Sequence, residues 1–271
     1  MANFALLQMN IHHCRPEDNF LRVRQLFAQA MGRTPRPDVV VLPELWSTGF
    51  STEVFQRIDE LAESENGPSL TLLRQLAREH QVWVSGGSIA TRHSDGTLRN
   101  TSFLIDRQGD LVGDYSKIHL FSLQREQGAF QRGTKAQVYD TEFGRMGMMI
   151  CYDIRFCELS RIYAIKQAQL LITTANFPNP RVNHWRNLLI ARAIENQVYV
   201  VACNRVGSTP ECSYPGHSLI IDPWGNVVAE AGEGEQILCG SIELSNVQTV
   251  RSQIQVFQDR QPQLYSSLFC E

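Results

Sequence analysis

In open α/β sheets, ligands collect outside the carboxyl ends of the strands. The residues to weigh first are therefore polar ones standing just past an apolar run of strand length. Glu44 follows Val39 to Pro43, Lys117 follows Leu111 to Tyr115, and Cys151 follows Met146 to Ile150. Taken singly, each has a plainer reading: a buried free thiol, a solvated loop carboxylate and a surface ammonium. Taken together, a carboxylate, an ammonium and a thiol at three strand ends supply a base, an electrostatic stabiliser and a nucleophile. Those are the parts needed for acyl transfer through a thioester. A helix starting after Cys151 would present its first amides, which favour a thiolate and can donate to an oxyanion. The polar cluster Tyr152, Asp153, Arg155 and Glu158 strengthens that reading of the turn.

The elements that must carry these residues follow from the apolar pattern. Runs of strand length alternate with helical-period segments from end to end, which argues for α/β layers. Phe4 to Met9 reads as a strand. Pro16 opens a helix whose Phe20, Val23, Phe27, Ala30 and Met31 recur at helical spacing. Val39 to Leu42 is apolar on both faces, as expected of a central covered strand. A second helix is expected over Ser69 to Glu79, with Ser69 as N-cap, followed by a strand from Val82 to Ser85. Arg107-Gln108-Gly109-Asp110 reads as the turn of a hairpin. The second half echoes the first, with strands at 146–150, 170–174 and 198–203 and helices at 158–168 and 182–194. No linker or composition shift divides residues 1–271, so a single domain is expected. The tail 252–271 is too apolar to stay solvated, and is expected to pack on its own body or on a partner subunit.

Composition narrows the partners. The formal net charge is −3 over 271 residues, with no basic run, so neither nucleic acid nor an anionic membrane is expected as a ligand. No stretch reaches membrane-span length, and no basic-then-apolar leader opens the chain; the reading is a cytoplasmic protein with a small-molecule substrate. The seven cysteines include no CxxC pair, and the seven histidines show no ligand spacing, so neither a disulfide framework nor a metal is expected. Asn100-Thr101-Ser102 fits a glycosylation sequon and is read as coincidence. Gly133-Thr134-Lys135 has the wrong residue order for a phosphate loop, and no GxGxxG occurs, so no cofactor is expected.

With these residues in view, the sequence resembles the nitrilase, or carbon–nitrogen hydrolase, superfamily. Leu42-Pro43-Glu44-Leu45 is similar to its glutamate segment, Tyr115-Ser116-Lys117-Ile118-His119-Leu120-Phe121 to its lysine segment, and Gly147 through Phe156 to its cysteine segment. The resemblance continues through His184-Trp185, Arg192 to Gln197 and Gly216-His217-Ser218. Within the superfamily, His119-Leu120-Phe121 and Tyr152-Asp153 look most like the omega-amidases, whereas nitrilases proper usually follow their cysteine with Trp-Glu.

The resemblance implies a four-layer α-β-β-α sandwich and an amidohydrolase releasing ammonia from small dicarboxylic-acid monoamides such as alpha-ketoglutaramate. It implies Cys151 as nucleophile, Glu44 as proton carrier, and Lys117 with the Tyr152 backbone N–H as oxyanion stabilisers. It also implies a second glutamate, for which Glu126 is the candidate, the other reading being a solvated loop carboxylate. Arg155 is either the receiver of the substrate's distal carboxylate or a structural partner of Asp153 or Glu158. Asn176 and Phe177 are expected to line the pocket, and a homodimer is expected. The alternatives are another superfamily activity, on a deaminated peptide, an N-carbamoyl compound or a nitrile, and a non-catalytic binding protein.

Overall fold

The computed structural model describes residues 1–268. Its first half runs β1 (Ala2–Gln8), α1 (Pro16–Met31), β2 (Val39–Val41), the short helices α2 (Thr52–Gln56) and α3 (Ile58–Leu61), β3 (Glu63–Ser64), α4 (Pro68–His80), β4 (Trp83–Arg92), β5 (Leu98–Ile105) and β6 (Leu111–Ser116). Two 3-10 turns, Ser122–Gln124 and Glu126–Gly128, lead to β7 (Val138–Thr141) and β8 (Gly144–Ile150). The second half continues with α5 (Cys157–Ile165), β9 (Leu170–Ala175), α6 (Val182–Asn196), β10 (Tyr199–Asn204), β11 (Val206–Ser208) and β12 (Ser213–Pro215). It ends in β13 (Leu219–Ile221), β14 (Val227–Glu230), β15 (Gln236–Ile242), α7 (Ser245–Gln253) and α8 (Pro262–Leu268).

One sheet has the order β15-β1-β2-β4-β5-β6, with β3 beside β4; the other has the order β14-β13-β10-β9-β8-β7. Strands β1, β2 and β4 are parallel, as are β8, β9 and β10, so each sheet has a parallel centre flanked by antiparallel strands. The period of two along the strands sorts the layers. Phe4, Leu6, Val39 and Val41 face the second sheet. Ala5, Leu7 and Val40 face α1 and α4. Residues of α5 and α6 such as Tyr163, Trp185 and Leu189 pack on the far side of the second sheet. The architecture is therefore the α-β-β-α sandwich.

Differences from the sequence reading are local. Helix α4 begins at Pro68 after Gly67, because Ser69 turns inward: its backbone N–H donates to Glu63 at 2.7 Å instead of its side chain capping the helix. Strand β4 extends to Arg92, seven residues past the expected end, because Gly86 and Gly87 let it bulge and continue. In the tail, Ile254, Leu264, Tyr265 and Leu268 remain exposed. The middle is held through Phe257 beneath the guanidiniums of Arg161 and Arg251 and through Gln197 Nε2 on the Ile254 carbonyl. The expectation for 269–271 lies outside the described residues.

The β4 bulge shapes the turn that carries Glu44. The Leu42 amide donates to the Ser85 carbonyl at 3.0 Å, and Pro43 accepts from the Ser88 amide at 3.2 Å. Ser88 Oγ accepts from the Leu45 amide at 3.0 Å, and Trp46 Nε1 donates to the Gly86 carbonyl at 2.9 Å. The Glu44 turn is thus cast against the bulge. Gly87 has φ +61, and a Cβ there would lie 2.1 Å from the Pro43 carbonyl oxygen. Gly87→Ala is therefore expected to displace the Glu44 turn, costing roughly 2 kcal/mol or more and about 4–8 °C of melting temperature, with activity falling further than stability. Calorimetry and an activity assay on the same sample check this; an unchanged Tm would contradict it.

Candidate active site

The three strand ends named from the sequence meet. Strands β2, β6 and β8 point the same way within their sheets, so Glu44, Lys117 and Cys151 emerge at one rim. Glu44, Lys117 and Glu126 are all 0% exposed. Lys117 Nζ donates to Glu44 Oε1 at 2.8 Å and to both carboxylate oxygens of Glu126 at 3.0 Å. Asn100 Nδ2 bridges the same two carboxylates, at 2.9 Å from Glu44 Oε1 and 3.1 Å from Glu126 Oε1. The ammonium also lies 5.4 Å from the centre of the Phe50 ring, a cation–π contact. A solvated loop carboxylate therefore does not describe Glu126. Its Oε2 also accepts from the Phe121 amide at 2.7 Å, which folds the two 3-10 turns over the lysine.

Each side chain is held from both sides. The Lys117 amide donates to the Asn100 carbonyl at 2.9 Å, and its own carbonyl accepts from Gly133 at 2.9 Å. Glu44 Oε2 accepts from the Asn176 amide at 2.8 Å, while Asn176 Nδ2 donates to the Glu44 carbonyl at 2.7 Å. Asn176 follows β9, so the second sheet grips the glutamate of the first. Thr174 adds a parallel clasp, Oγ1 to the Leu42 carbonyl at 2.9 Å.

Cys151 ends β8 and opens the 3-10 turn Cys151–Arg155, with φ +47, a left-handed backbone that a non-glycine residue adopts only when its surroundings impose it. Asp153 does much of the imposing. Its buried carboxylate accepts from the Ile150 amide at 2.9 Å, Tyr115 O–H at 2.7 Å, the His119 amide at 3.1 Å and His119 Nδ1 at 2.7 Å. One carboxylate therefore fixes both the nucleophile turn and the segment after Lys117. His119, stacked on Phe156 with ring centres 3.7 Å apart, is a structural histidine.

A cleft with about 330 Å³ of free space, part of it open to solvent, lies over these groups, walled by Phe50, Phe121, Tyr152, Phe177 and Pro178, with Lys117, Cys151 and Asn176 at its base. Arg155, Arg181 and Gln124 also line it. Arg155 makes no ion pair with Asp153 or Glu158. Asp153 is engaged elsewhere, and the Arg155 guanidinium lies over the Phe177 and Tyr152 rings at 5.5 and 6.0 Å, with a 3.4 Å contact to His184 Nδ1. The sequence reading missed Asn100, Phe50 and Arg181. Asn100 had a visible sign, a polar residue at the head of an otherwise covered strand; Arg181 had none.

The electrostatics bear on the thiol proton that Glu44 is expected to take. Burial would lower the lysine's proton affinity, but Glu126 and then Glu44 outweigh it and hold the Lys117 ammonium above the ordinary lysine range. Burial also raises the Glu126 carboxyl, against the pull of Lys117. For Cys151, burial and then the Glu44 carboxylate push the thiol well above its usual value, and the opposing pull of Lys117 is smaller. Burial and the facing carboxylate oppose the turn's amides, so the thiol holds its proton more tightly than a free one. The arrangement can therefore deprotonate the thiol only as it attacks, with a base alongside. The first amides of the 3-10 turn, Tyr152 N–H among them, lack intrahelical acceptors and, with Lys117, can meet a developing oxyanion. Among the described residues no group of His, Cys, Asp and Glu is placed to hold a metal ion.

A family model described as carbon-nitrogen hydrolase matches residues 3–252. The chain is 39% identical over 261 residues to the 2-oxoglutaramate amidase of Bacillus subtilis (strain 168), covering 96% of this chain and 98% of that protein. It is 36% identical over 278 residues to omega-amidase NIT2-A of Xenopus laevis, with 98% of each chain covered. Its fold superposes on Saccharomyces cerevisiae Nit3, a member of branch 10 of the nitrilase superfamily, with a TM-score of 0.86 and 31% identity, covering 93% of this chain and 94% of the other.

A neutral resting thiol has a spectroscopic consequence. The far-ultraviolet thiolate absorbance of Cys151, taken as wild type minus Cys151→Ala, is expected to be absent at neutral pH and still absent at the ordinary thiol value of 9.0, emerging only at higher pH. A thiolate signal at pH 7 would contradict the geometry's electrostatics.

Proposed function

This chain belongs to the carbon–nitrogen hydrolase family and is a hydrolase acting on amides, and we propose that its substrates are small dicarboxylic-acid monoamides of the 2-oxoglutaramate type. The observation that carries the reading is the buried ammonium shared by two carboxylates beside Cys151, at the base of a pocket whose wall carries Arg155.

In the first half of the reaction, Glu44 takes the proton of the Cys151 thiol as sulfur attacks the amide carbon. The carbonyl oxygen gains the negative charge and is met by Lys117 Nζ and the Tyr152 N–H. The tetrahedral adduct collapses with cleavage of the C–N bond, and Glu44 returns its proton to the nitrogen, which leaves as ammonia. Water, deprotonated by Glu44, then attacks the thioester; the C–S bond breaks, the thiol recovers a proton and the acid departs. Glu126 touches no reacting atom in this scheme. With Asn100 it holds Lys117 in place, so that no reorganisation is needed when charge develops. Arg155 receives the far carboxylate through its planar fork, and Asn176 and Phe177 complete the pocket.

We read residues 1–271 as one domain working in the cytoplasm as a homodimer. No helix among the described residues is long and apolar enough to cross a membrane. Support for the dimer is the exposed apolar set Ile162, Ile165, Ile254, Leu264 and Leu268 along α5 and the tail, surface that a monomer would not bury.

Lys117→Ala is expected to lower kcat by a hundredfold to a thousandfold or more, as loss of an oxyanion donor does, roughly 2.7–4 kcal/mol; ammonia release from 2-oxoglutaramate measures it. Iodoacetamide should label Cys151 ahead of the other thiols in wild type and lose that preference in Glu44→Ala. Activity surviving Lys117→Ala within tenfold would overturn the scheme. Light scattering at micromolar concentration should give a dimer mass, shifted towards monomer by Ile165→Glu; a wild-type monomer would overturn that part alone.

A further inference from the structure

The pocket carries more positive charge than one carboxylate anchor requires. Arg181 lines it together with Arg155, and neither guanidinium forms an ion pair with any carboxylate among the described residues. The two are spaced by aromatic rings. Arg181 lies 5.6 Å from the Phe121 ring centre, Phe121 meets Tyr152 edge-on at 5.0 Å, and Arg155 lies over Tyr152 and Phe177. The guanidiniums themselves lie over these rings, in the wall of the cavity.

Arg181 is also held in place. The segment from Phe177 to Arg181 leaves β9 through Pro178 and Pro180, and Asn179 is tied to Ser213 through its amide at 2.9 Å and its side chain at 3.1 Å. The Arg181 amide donates to the Pro178 carbonyl at 3.1 Å, and its own carbonyl starts α6 by accepting from Trp185 at 3.0 Å. A guanidinium on so short and tethered a turn gives up little freedom when it meets a ligand. An unpaired, half-buried cation beside a second one raises the potential of the cleft for anions.

We propose that Arg181 is a specificity-determining residue: it and Arg155 form a two-guanidinium receptor for the carboxylate end of the substrate, making the pocket selective for amides that carry an anionic group and poor for neutral ones. This rests on the proposed substrate class and deepens it by assigning the second anchor. Arg181 is no part of the hydrogen-bonded set around Lys117 and acts on binding, so its loss moves KM and leaves kcat nearly alone.

The test compares 2-oxoglutaramate with a neutral amide of similar length, butyramide, in wild type, Arg155→Ala, Arg181→Ala and Arg181→Glu. Arg181→Ala should raise KM for 2-oxoglutaramate about ten- to a hundredfold, the size expected for one charged hydrogen-bonding partner, with kcat within about threefold. KM for butyramide should not change. Arg181→Glu should raise the 2-oxoglutaramate KM further, and both variants should flatten the salt dependence of kcat/KM, which a merely structural arginine would not do. If wild type prefers the anionic amide and Arg155→Ala abolishes that preference while both Arg181 variants keep it, the role of Arg181 is overturned and the substrate reading stands. If wild type turns over butyramide as well as 2-oxoglutaramate, both fall.

Discussion

An ammonium shared by two carboxylates in a dry interior is stable only while all three hold their places. Each ion left water at an effective cost of several kcal/mol, offset by mutual attraction and by hydrogen bonds to the remaining lone pairs. Lys117 is held between Glu44 at 2.8 Å and the two carboxylate oxygens of Glu126 at 3.0 Å, which one N–H can share. Asn100, Asn176 and the Phe121 amide satisfy much of the remaining carboxylate capacity. That requirement dictates the surrounding backbone: the Glu44 turn is cast on a strand bulge, the lysine is pinned between Asn100 and Gly133, and the glutamate loop is folded over by its own side chain. The buried ions are rigid because the alternative, one of them unpaired, is costly.

The same field explains why the nucleophile rests as a thiol. A sulfur anion would sit largely buried beside the Glu44 carboxylate, and Lys117 already has two counterions. The site is built so that negative charge is favourable at the carbonyl oxygen as it develops, close to Lys117 and the first amides of the 3-10 turn, and unfavourable on sulfur beforehand. Electrostatic preorganisation of this kind does its work in the transition state and leaves the ground state quiet.

Much of this was legible in the sequence, for identifiable reasons. Alternation such as Phe4 and Leu6 against Ala5 and Leu7 encodes which face of a strand meets which layer, and Glu44, Lys117 and Cys151 could be found because catalysis places them just beyond apolar runs. What the sequence hid depends on three-dimensional neighbours. Glu126 is named through the family resemblance, but its residue type alone cannot tell a second glutamate from a solvated loop carboxylate until the loop closes on Lys117. Asn100 reads as a strand residue until two carboxylates arrive from elsewhere. Asp153 looks like a partner for Arg155 until Tyr115 and His119 are seen to occupy it, which is what leaves Arg155 free. The amides that favour a thiolate are visible in sequence, whereas the burial that opposes them is not. Ser69 misled in the same way: it has the right type and place for a cap, and Glu63 claims it.

The clasp between Asn176 and Glu44 joins strand ends 132 positions apart in the chain, and it belongs to neither sheet alone. The base and the lysine stand on one sheet and the sulfur on the other, so neither sheet alone holds a working set. Turnover thus begins only when the two halves of the sandwich close on each other. Because the first sheet is closed by β15, from residues 236–242, it is completed only after the residues of the second sheet have been made.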